Sequence, residues 1–436
     1  MAVLSALPMY ESYKQLAPEW LEEIPEFWSV SKLKYVAKII NGDSLAPALK
    51  DKFSFEVDEY WPYIASKDIN VNTSFIDYEN GIRIPRSFTN YKRAQNDSAL
   101  ICIEGGSAGK KIAYTNQDVC YVNKLACIHS KHISNRFIYY SLYAEAFQNQ
   151  FKLSLSGLIG GVAISAINNF IIVNPPLEEQ DEIVKFLDKK TTQIDEAIAT
   201  KEKQITLLKE RKQSIIRKAA IQGLNSNVPM KESGVDWIGK IPKHWDVVRF
   251  KNLFTQSRLA VRKDDGVVTS YRDGQVTLRS NRRLGGYTEA IIEGGYQGIR
   301  VGQLVLNSMD AFEGAIGVSE SDGKCTPEYV ICDPQSDHIL QHYFAYLLRE
   351  MALAKYIQVI CNAVRQRAVR IRFNNLATRF LVVPPRAEQA AIVQYIVEES
   401  EKINAGIDQL KEQIKKLKEY KTTLINSAVT GKIKVA

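Results

Sequence analysis

Apolar positions recur at heptad spacing in two long stretches of the chain. The first stretch has no Gly or Pro before Gly223, and the second has only Gly406 before Gly431. Spacings of seven, four and three residues are typical of a coiled-coil seam, so each stretch predicts a helix of about 45 residues and about 67 Å. Helices of this length favour pairing with each other as an intramolecular coiled coil. The predicted seam consists of Leu187, Ile194, Ile198, Ile205, Leu208 and Ile215 in the first helix and of Ile396, Ile403, Ile407, Leu410, Ile414, Leu417 and Leu424 in the second.

An internal repeat surrounds these stretches. The segment W-L-E-E-I-P-E-F-W at 20–28 returns as W-I-G-K-I-P-K-H-W at 237–245, which is 217 residues later. The segment P-P-L-E-E-Q at 175–180 returns as P-P-R-A-E-Q at 384–389, which is 209 residues later. The borders of the two halves therefore match, whereas their interiors diverge, as in a duplicated architecture whose variable parts serve different purposes.

The repeat predicts five segments. Residues 1–177 form a first globular region, 178–222 a long helix and 223–234 a polar connector with Gly and Pro, followed by a second globular region at 235–385 and a second long helix with the C-terminal tail at 386–436. We expect an α+β protein with two pseudo-repeated α/β regions separated by two long helices. An antiparallel coiled coil would place the two globular regions at opposite ends, related by a pseudo-twofold axis.

Composition excludes several classes of protein. The chain has 436 residues, 45% of them hydrophobic and 24% charged, which is typical of globular proteins and not of disordered ones. The six cysteines form no C-x-x-C pair, so a disulfide-stapled secreted module is excluded and a reducing compartment is expected. The N-terminus does not resemble a signal peptide, and the most apolar window, 157–173, is too short to span a bilayer. We therefore expect a cytoplasmic protein without membrane contact.

Positive charge is concentrated in the second globular region. Lys and Arg number 57 against 49 Asp and Glu, a formal net charge of +8. Arginine and glutamine read guanine and adenine edges, and arginine also binds phosphates, although solvated surface charge explains such residues as well. Two clusters, at 271–283 and 362–373, and one further lysine supply the candidate DNA-binding residues of this region. They are Arg272, Gln275, Arg279, Arg282, Arg283, Lys324, Arg365, Gln366, Arg367, Arg370 and Arg372.

The first globular region is neutral overall but contains local basic stretches. Residues 81–96 carry four cations and no acid, interleaved with Phe88 and Tyr91. The segment G-G-S-A-G-K-K at 105–111 suits a loop that approaches a phosphate, although a plain basic hairpin turn explains it nearly as well. The candidate DNA-binding residues here are Lys67, Arg83, Arg86, Lys92, Arg93, Ser107, Lys110 and Lys111.

Neither a catalytic nor a metal site is predicted. The N-P-P-L segment at 174–177 resembles the Asn-Pro-Pro-aromatic turn of amino-methyltransferases, but Leu177 is not aromatic and the second copy lacks the Asn. A proline pair that ends a strand and begins a helix explains both copies. Two cysteines and two histidines within 325–342 are too widely spaced for a structural zinc site. Neither a nucleophile motif nor a zinc-protease motif is present.

The ordered set of border motifs resembles a known family. The segment K-E-S-G-V-D-W-I-G-K-I-P-K-H-W-D-V at 231–247, the two P-P-x-x-E-Q segments and their long helices are similar to the specificity subunit of type I restriction-modification systems. The match covers essentially the whole chain. The first copy lacks the Ser-Gly that precedes the motif in the second copy.

This resemblance implies a DNA-recognition subunit without catalytic activity. Two target recognition domains would each read one half of a bipartite double-stranded DNA target, at a distance set by the helices. The helices would also dock two modification subunits, which bind S-adenosylmethionine and methylate adenine. Restriction and motor subunits, which use ATP and Mg, would complete the complex. No cofactor is expected on this chain itself.

Two alternatives from other classes remain. A stand-alone nucleic-acid-modifying enzyme would need a cofactor turn or a nucleophile that the sequence does not reveal. A structural coiled-coil adaptor would explain the helices but not the arginine and amide clusters. Binding of DNA that weakens steeply with salt separates DNA recognition from the adaptor role.

Overall fold

The chain is divided into two units with related mixed α/β architecture. The first unit comprises Met1–Lys203 with Leu410–Ala436, and the second comprises Gln204–Gln409. Each long helix therefore contributes residues to both units. The computed structural model describes residues 8–15, 23–54, 58–157, 160–282, 295–361 and 370–435.

The first unit is built around two four-stranded sheets, in the orders β4-β11-β8-β9 and β6-β5-β10-β7. Its strands are β1 (Tyr13–Gln15), β2 (Glu23–Pro25), β3 (Ser29–Lys32), β4 (Lys38–Asn41), β5 (Tyr60–Ile64), β6 (Arg83–Pro85), β7 (Arg93–Ala94), β8 (Ala99–Cys102), β9 (Ile112–Tyr114), β10 (Val119–Tyr121), β11 (Leu125–His129) and β12 (Ile171–Asn174). Its helices are α1 (Leu33–Val36), α2 (Pro47–Lys52), α3 (Asn135–Ser141), α4 (Glu145–Leu153), α5 (Ile164–Ile167) and the first long helix, α6 (Leu177–Gln222).

The second unit repeats one of these sheets. Its strands β16-β23-β20-β21 form an antiparallel sheet with the connectivity of β4-β11-β8-β9. The strands are β13 (Met230–Glu232), β14 (Lys240–Pro242), β15 (Asp246–Arg249), β16 (Phe254–Gln256), β17 (Val268–Ser270), β18 (Val276–Leu278), β19 (Gln297–Ile299), β20 (Leu304–Asn307), β21 (Ile316–Val318), β22 (Gly323–Cys325), β23 (Tyr329–Pro334) and β24 (Phe380–Val383). The helices are α7 (Gln341–Leu353), α8 (Tyr356–Ile360), α9 (Phe373–Ala377) and the second long helix, α10 (Arg386–Val429).

A strand pair joins the two borders of each globular region. In the first unit β3, which follows the Trp motif, pairs antiparallel with β12, which precedes the Pro-Pro motif. In the second unit β15 and β24 form the equivalent antiparallel pair. The repeated motifs are therefore neighbours in space although about 150 residues separate them in sequence, and this explains why they recur together.

The repeated tryptophans bind the first turn of each long helix. The indole Nε1 of Trp28 donates to Glu179 Oε2 at 2.7 Å, and Nε1 of Trp245 donates to Glu388 Oε2 at 2.9 Å. Both indole side chains are completely buried. A carboxylate in the first helical turn also complements the helix dipole, so each border fixes where its long helix begins.

The repeated glutamines tie the long helices to a second helix. Gln180 is buried, its Nε2 donates to the Pro175 carbonyl at 2.8 Å and its Oε1 accepts from the Ser134 amide at 2.9 Å, at the N-terminus of α3. Gln389 makes the equivalent 2.8 Å bond to the Pro384 carbonyl and accepts from the backbone at the N-terminus of α7. The motif thus satisfies backbone groups that a buried helix terminus would otherwise leave unpaired.

Each long helix ends at a glycine that packs on a repeated tryptophan. Gly223 and Gly431 both have a φ of 75°, the left-handed conformation that commonly terminates helices. A β-carbon at Gly223 would lie 3.1 Å from the Trp245 ring, and one at Gly431 would lie 3.0 Å from the Trp28 ring. Glycine is therefore favoured at both positions for its conformation and for the close packing.

In the first unit, polar contacts show how α6 and α10 pair. Lys421 Nζ lies 2.7 Å from Asp195 Oδ2, and Lys201 Nζ donates to Gln413 Oε1 at 2.7 Å. The position along α10 falls as the position along α6 rises. The helices are therefore antiparallel within this unit.

The second unit shows the same direction of pairing. Lys212 Nζ donates to Asn404 Oδ1 at 3.0 Å, and a β-carbon at Gly406 would lie 4.0 Å from Leu208 Cδ1. The antiparallel coiled coil and the α+β fold class predicted from the sequence are confirmed.

Candidate nucleic-acid interface

The basic stretch at 81–96 folds around two aromatic residues of β5. The Arg83 guanidinium lies 5.2 Å from the centre of the Tyr60 ring, while Arg93 and Arg86 lie 4.5 Å and 5.9 Å from the Trp61 ring. Strands β6 and β7 carry Arg83 and Arg93 on either side of the β5–β10 pair. We call these five residues the arginine–aromatic cluster. It brings together three candidate residues that are up to ten positions apart in sequence.

The charges of this cluster are only partly compensated. Arg83 lies 3.8 Å from Glu79, whereas Arg86 and Arg93 are exposed and have no ion pair in the part of the chain that the structure describes. Arginine held flat against an aromatic ring keeps its outward N–H groups for another acceptor. Phosphate oxygens and base edges are acceptors of this kind. The Tyr60–Trp61 pair was not predicted to take part, although the dense aromatic segment Y-W-P-Y at 60–63 signals it.

Aromatic packing extends beyond this cluster to the loop before β7. Lys52 Nζ lies 5.7 Å from the centre of the Phe88 ring, which packs edge-on against Phe53. The candidate Lys92 is exposed, and its Nζ lies 3.5 Å from Asp43 Oδ1. A phosphate at Lys92 would therefore compete with a carboxylate.

The glycine-rich loop at 105–111 has one structural lysine and one exposed lysine. Lys111 is partly buried, and its Nζ donates to the Ser66 carbonyl at 2.6 Å, which brings the neighbouring candidate Lys67 close to this loop. Lys110 is exposed, and its Nζ donates to the Gly106 carbonyl at 3.3 Å. Ser107 is partly buried and accepts from the Lys110 amide. The two exposed lysines, Lys67 and Lys110, are the better placed for a phosphate.

The cluster at 271–283 is surrounded by acids in space. Arg272 lies 3.0 Å from Asp310 and also contacts Glu313, and the hydrogen bond to Asp310 raises the pKa of the guanidinium. Arg282 lies 2.9 Å from Asp273 and 4.1 Å from the centre of the Tyr271 ring. A DNA phosphate at either arginine would have to share the guanidinium with these carboxylates.

The remaining candidates of this part of the second unit are also engaged. Gln275 Nε2 donates to Glu320 at 3.0 Å, and Arg279 Nε donates to Thr269 at 3.1 Å. Lys324 on β22 lies 5.4 Å from the centre of the Tyr296 ring. Arg283 lies outside the described residues.

The arginine-rich stretch before β24 is described only at its end. Arg365, Gln366 and Arg367 lie outside the described residues. Arg370 Nε lies 4.0 Å from Glu328, and exposed Arg372 precedes α9.

A cleft of about 130 Å³ adjoins this stretch. Its lining includes Arg372, Gln256 and the exposed Arg258. Arg258 is not among the residues predicted from the sequence, because no other basic residue lies within three positions of it.

The predicted seam positions lie mostly in the interior of the helix pair. Leu187, Ile194 and Ile198 of α6 are buried, as are Ile396, Ile403, Ile407, Ile414 and Leu424 of α10. The other predicted seam residues are partly buried, namely Ile205, Leu208, Ile215, Leu410 and Leu417. Lys201, Lys212 and Lys421 continue the same heptad spacing between these apolar residues. Each binds a polar side chain of the opposite helix, which satisfies its charge in the seam.

No metal site is assembled within the described ranges, because no three His, Cys, Asp or Glu side chains approach one another closely enough to hold an ion. Cys325 and Cys332 are buried, and burial raises the pKa of the Cys325 thiol to about 12. Asn174 of the N-P-P-L segment accepts a hydrogen bond from Gln180 at 3.1 Å and so belongs to the helix border. None of the described helices is long and apolar enough to cross a membrane.

Comparison with known proteins agrees with this architecture. Residues 25–207 match the family model of the type I restriction modification DNA specificity domain. This part of the chain is similar to the DNA specificity domain of type I restriction-modification systems. The matched residues contain most of the first globular region and about two thirds of α6, and the second half of the chain repeats their border motifs.

Relatives of this family match part of the chain. The specificity subunit of the type I restriction enzyme MjaVIII from Methanocaldococcus jannaschii is 26% identical over 239 residues, which cover 53% of this chain and 50% of that protein. The putative MjaX specificity subunit of the same organism is 26% identical over 259 residues, 58% of each chain. The chain thus spans only about half the length of the curated relatives it matches.

A solved structure shows the same fold over nearly the whole chain. This structure was determined to explain complex assembly and conformational transition of the type I R-M system. Its matching chain has a TM-score of 0.69 and 14% identity, covering 94% of this chain and 99% of that one.

Proposed function

We propose that this chain is the DNA sequence-recognition subunit of a type I restriction-modification complex. Each unit reads one half of a bipartite double-stranded target. The match of residues 25–207 to the specificity-domain model supports this role, and the arginine–aromatic cluster is the observation that carries it. Arg86 and Arg93 are exposed beside Trp61, a combination suited to phosphates and base edges.

The candidate residues contribute unequally to this proposal. In the first unit Lys67, Arg86, Arg93 and Lys110 are exposed, and we assign the main DNA contacts of this unit to them. In the second unit Arg372 is exposed and has no ion pair among the described residues, whereas Arg272 and Arg282 are paired with acids. We assign Arg272 and Arg282 a role in holding loop shape as well as a shared contact with DNA.

The two long helices have two roles in this proposal. They set the distance between the half-sites, and they dock two modification subunits that bind S-adenosylmethionine and methylate adenine. Restriction and motor subunits that use ATP and Mg complete the complex. The chain itself binds no cofactor and performs no catalysis, and it supplies the sequence specificity of the complex.

Mapping adenine methylation in cells tests the proposed function. Cells carrying this chain with its modification subunit should show a split methylated motif that is absent from cells with the modification subunit alone. A stable complex that adds no motif would contradict the proposal and favour a structural adaptor. Methyl transfer by the purified chain alone would also contradict it and favour a stand-alone enzyme.

A further inference from the structure

A basic cleft opens in the first unit beside the arginine–aromatic cluster. It has a volume of about 760 Å³ and lies among α1, β4, the end of β11 and β7. Its basic lining residues are Lys34, Lys38, Arg93, His129, Lys131 and His132. Of these residues only Arg93 is a candidate predicted from the sequence, and the others come from two further segments of the chain.

The cations of this cleft are poorly compensated. The described lining contains neither Asp nor Glu. Lys34 Nζ donates to the neutral Asn169 side chain at 3.1 Å, and Arg93 packs on Trp61. Lys38 and Lys131 are exposed and form no side-chain hydrogen bond or ion pair in the described part of the chain. A concave surface with four such cations focuses a positive potential that attracts anions.

Backbone pairing and a buried hydroxyl fix the segments that carry these side chains. His129 lies directly opposite Lys38 in the β11–β4 pair, and its Nδ1 lies 3.0 Å from Ser98 Oγ. The buried Ser130 hydroxyl donates to the Val36 carbonyl and accepts from the His132 amide at 2.9 Å. The backbone of the turn that carries Lys131 is therefore anchored on both sides, so the point from which this lysine extends is fixed.

The second unit keeps one of these cations, because Lys251 repeats Lys34, but it lacks the charges of Lys38, His129 and Lys131. The equivalent strand pair, β16–β23, sets Thr255 opposite Asp333 where the first unit has Lys38 opposite His129. Lys131 follows His129 by two residues, and the residue that follows Asp333 by two is the neutral Gln335. The basic cleft is thus a property of one unit and not of the shared scaffold.

We propose that this cleft binds the sugar-phosphate backbone of duplex DNA next to the half-site that the first unit reads. This inference rests on the proposed function and adds a phosphate-binding site to it. Lysines act as point charges without fixed geometry, so they position the duplex and leave base reading to other residues. The open shape suits a continuous backbone, and Gln95 and Asn168 in the lining supply neutral donors beside the cations.

The test compares the wild-type chain with a Lys38→Gln/Lys131→Gln double variant in binding to an arbitrary duplex over a range of salt concentrations. Loss of two phosphate contacts should lower the slope of log affinity against log salt by about 2. Lys152→Gln/Lys434→Gln, which removes two exposed lysines outside the cleft, is the matched control and should keep the wild-type slope. An unchanged slope in the Lys38/Lys131 variant would overturn the proposal.

A competition arm separates backbone from free phosphate. Inorganic phosphate at submillimolar concentration should not displace the duplex from the wild-type chain. Displacement that is lost in the double variant would mean that the cleft is a site for small phosphates, and it would overturn the proposal. Because the duplex is arbitrary and no methylation is measured, failure here is distinguishable from failure of the proposed function.

Discussion

At the scale of single residues, the borders of each unit depend on buried polar side chains with more than one partner. Gln180 and Gln389 each bridge a proline carbonyl and the N-terminus of a neighbouring helix. A side chain that satisfies two backbone groups at once is hard to replace, since its loss leaves both groups unpaired in a dry environment. This accounts for the repetition of glutamine at the same place in both halves of the chain.

Truncation of either glutamine should destabilise the unit that contains it. For Gln180→Ala and for Gln389→Ala we expect a loss of about 1–3 kcal/mol in the free energy of unfolding, because a buried donor and a buried acceptor lose their partner. Denaturant unfolding followed by circular dichroism measures this. Lys185→Ala, an exposed change on the same helix as Gln180, should stay within about 0.5 kcal/mol of wild type. Equal effects at positions 180 and 185 would contradict the bridging role.

Glu350 is a second buried polar residue, and it titrates near neutral pH. Glu350 is 4% exposed on α7, and burial raises the pKa of its carboxyl to about 7. The hydrogen bond from Gln213 and the nearby charges of Arg217 and Arg349 lower this pKa, but burial has the larger effect. The unfolded chain releases this proton near the ordinary value of 4.5, whereas the folded chain keeps it up to about 7. The contribution of Glu350 to stability therefore falls as pH rises from about 4.5 to about 7 and is constant above that.

Replacement of this residue by a neutral isostere should remove that dependence. We expect Glu350→Gln to be more stable than wild type at pH 8, by at most about 3 kcal/mol, and to lose this advantage at pH 5. Melting temperatures across this range measure the difference. Glu145→Gln, which removes an exposed carboxylate, should show no such pH-dependent gain. An equal shift at pH 5 and pH 8 would refute the buried titration.

At the scale of elements, sequence periodicity predicted the long helices but not the contacts between distant segments. Heptad spacing predicted two helices that the structure places at Leu177–Gln222 and Arg386–Val429, and the order of the segments along the chain predicted their pairing direction. It did not predict that β3 pairs with β12, because strand partners about 140 residues apart leave no local signal. The periodicity also could not show that Asp310 lies beside Arg272. The segment around Arg272 contains few acidic residues, but the fold brings acidic residues from other segments next to it.

The same limit applies to the basic cleft. The cations of the cleft lie in three segments that are far apart in the sequence, with Lys34 and Lys38 in the first, Arg93 in the second and Lys131 in the third. Only the folding of β4, β7 and β11 into one region brings them together. Charge clusters along the sequence therefore identified part of the candidate interface, and tertiary structure was needed for the rest.

The pairing direction of the helices can be tested by exchange of one ion pair. Asp195→Lys and Lys421→Asp should each destabilise the first unit by about 0.5–1 kcal/mol, because each places like charges opposite each other at a partly exposed position. The double variant should recover most of this loss, since it restores an opposite pair. Thermal unfolding of the four proteins measures the coupling. Additive losses in the double variant would be inconsistent with antiparallel contact at this point.

At the scale of the whole molecule, the two long helices are the elements that the two halves share. Their polar seam positions fix one register, with Lys201 bound to Gln413 and Lys212 bound to Asn404. Residues 202–208 of α6 and 406–412 of α10 lie between these two contacts in the sequence. One heptad can be removed from each helix here without changing which seam positions face each other.

Paired deletion of 202–208 and 406–412 tests the proposed spacing role of the helices. Seven residues of helix correspond to about 10 Å, or about three base pairs of DNA. We expect the methylated motif in cells to keep both half-sites and to have a spacer shorter by about three base pairs. Deletion of 202–208 alone shifts α6 by one heptad relative to α10, so the contacts of Lys201 and Lys212 with α10 cannot both form. We expect this single deletion to abolish assembly with the modification subunit. An active complex with the paired deletion and an unchanged spacer would refute the proposal, because the half-site distance would then be independent of helix length.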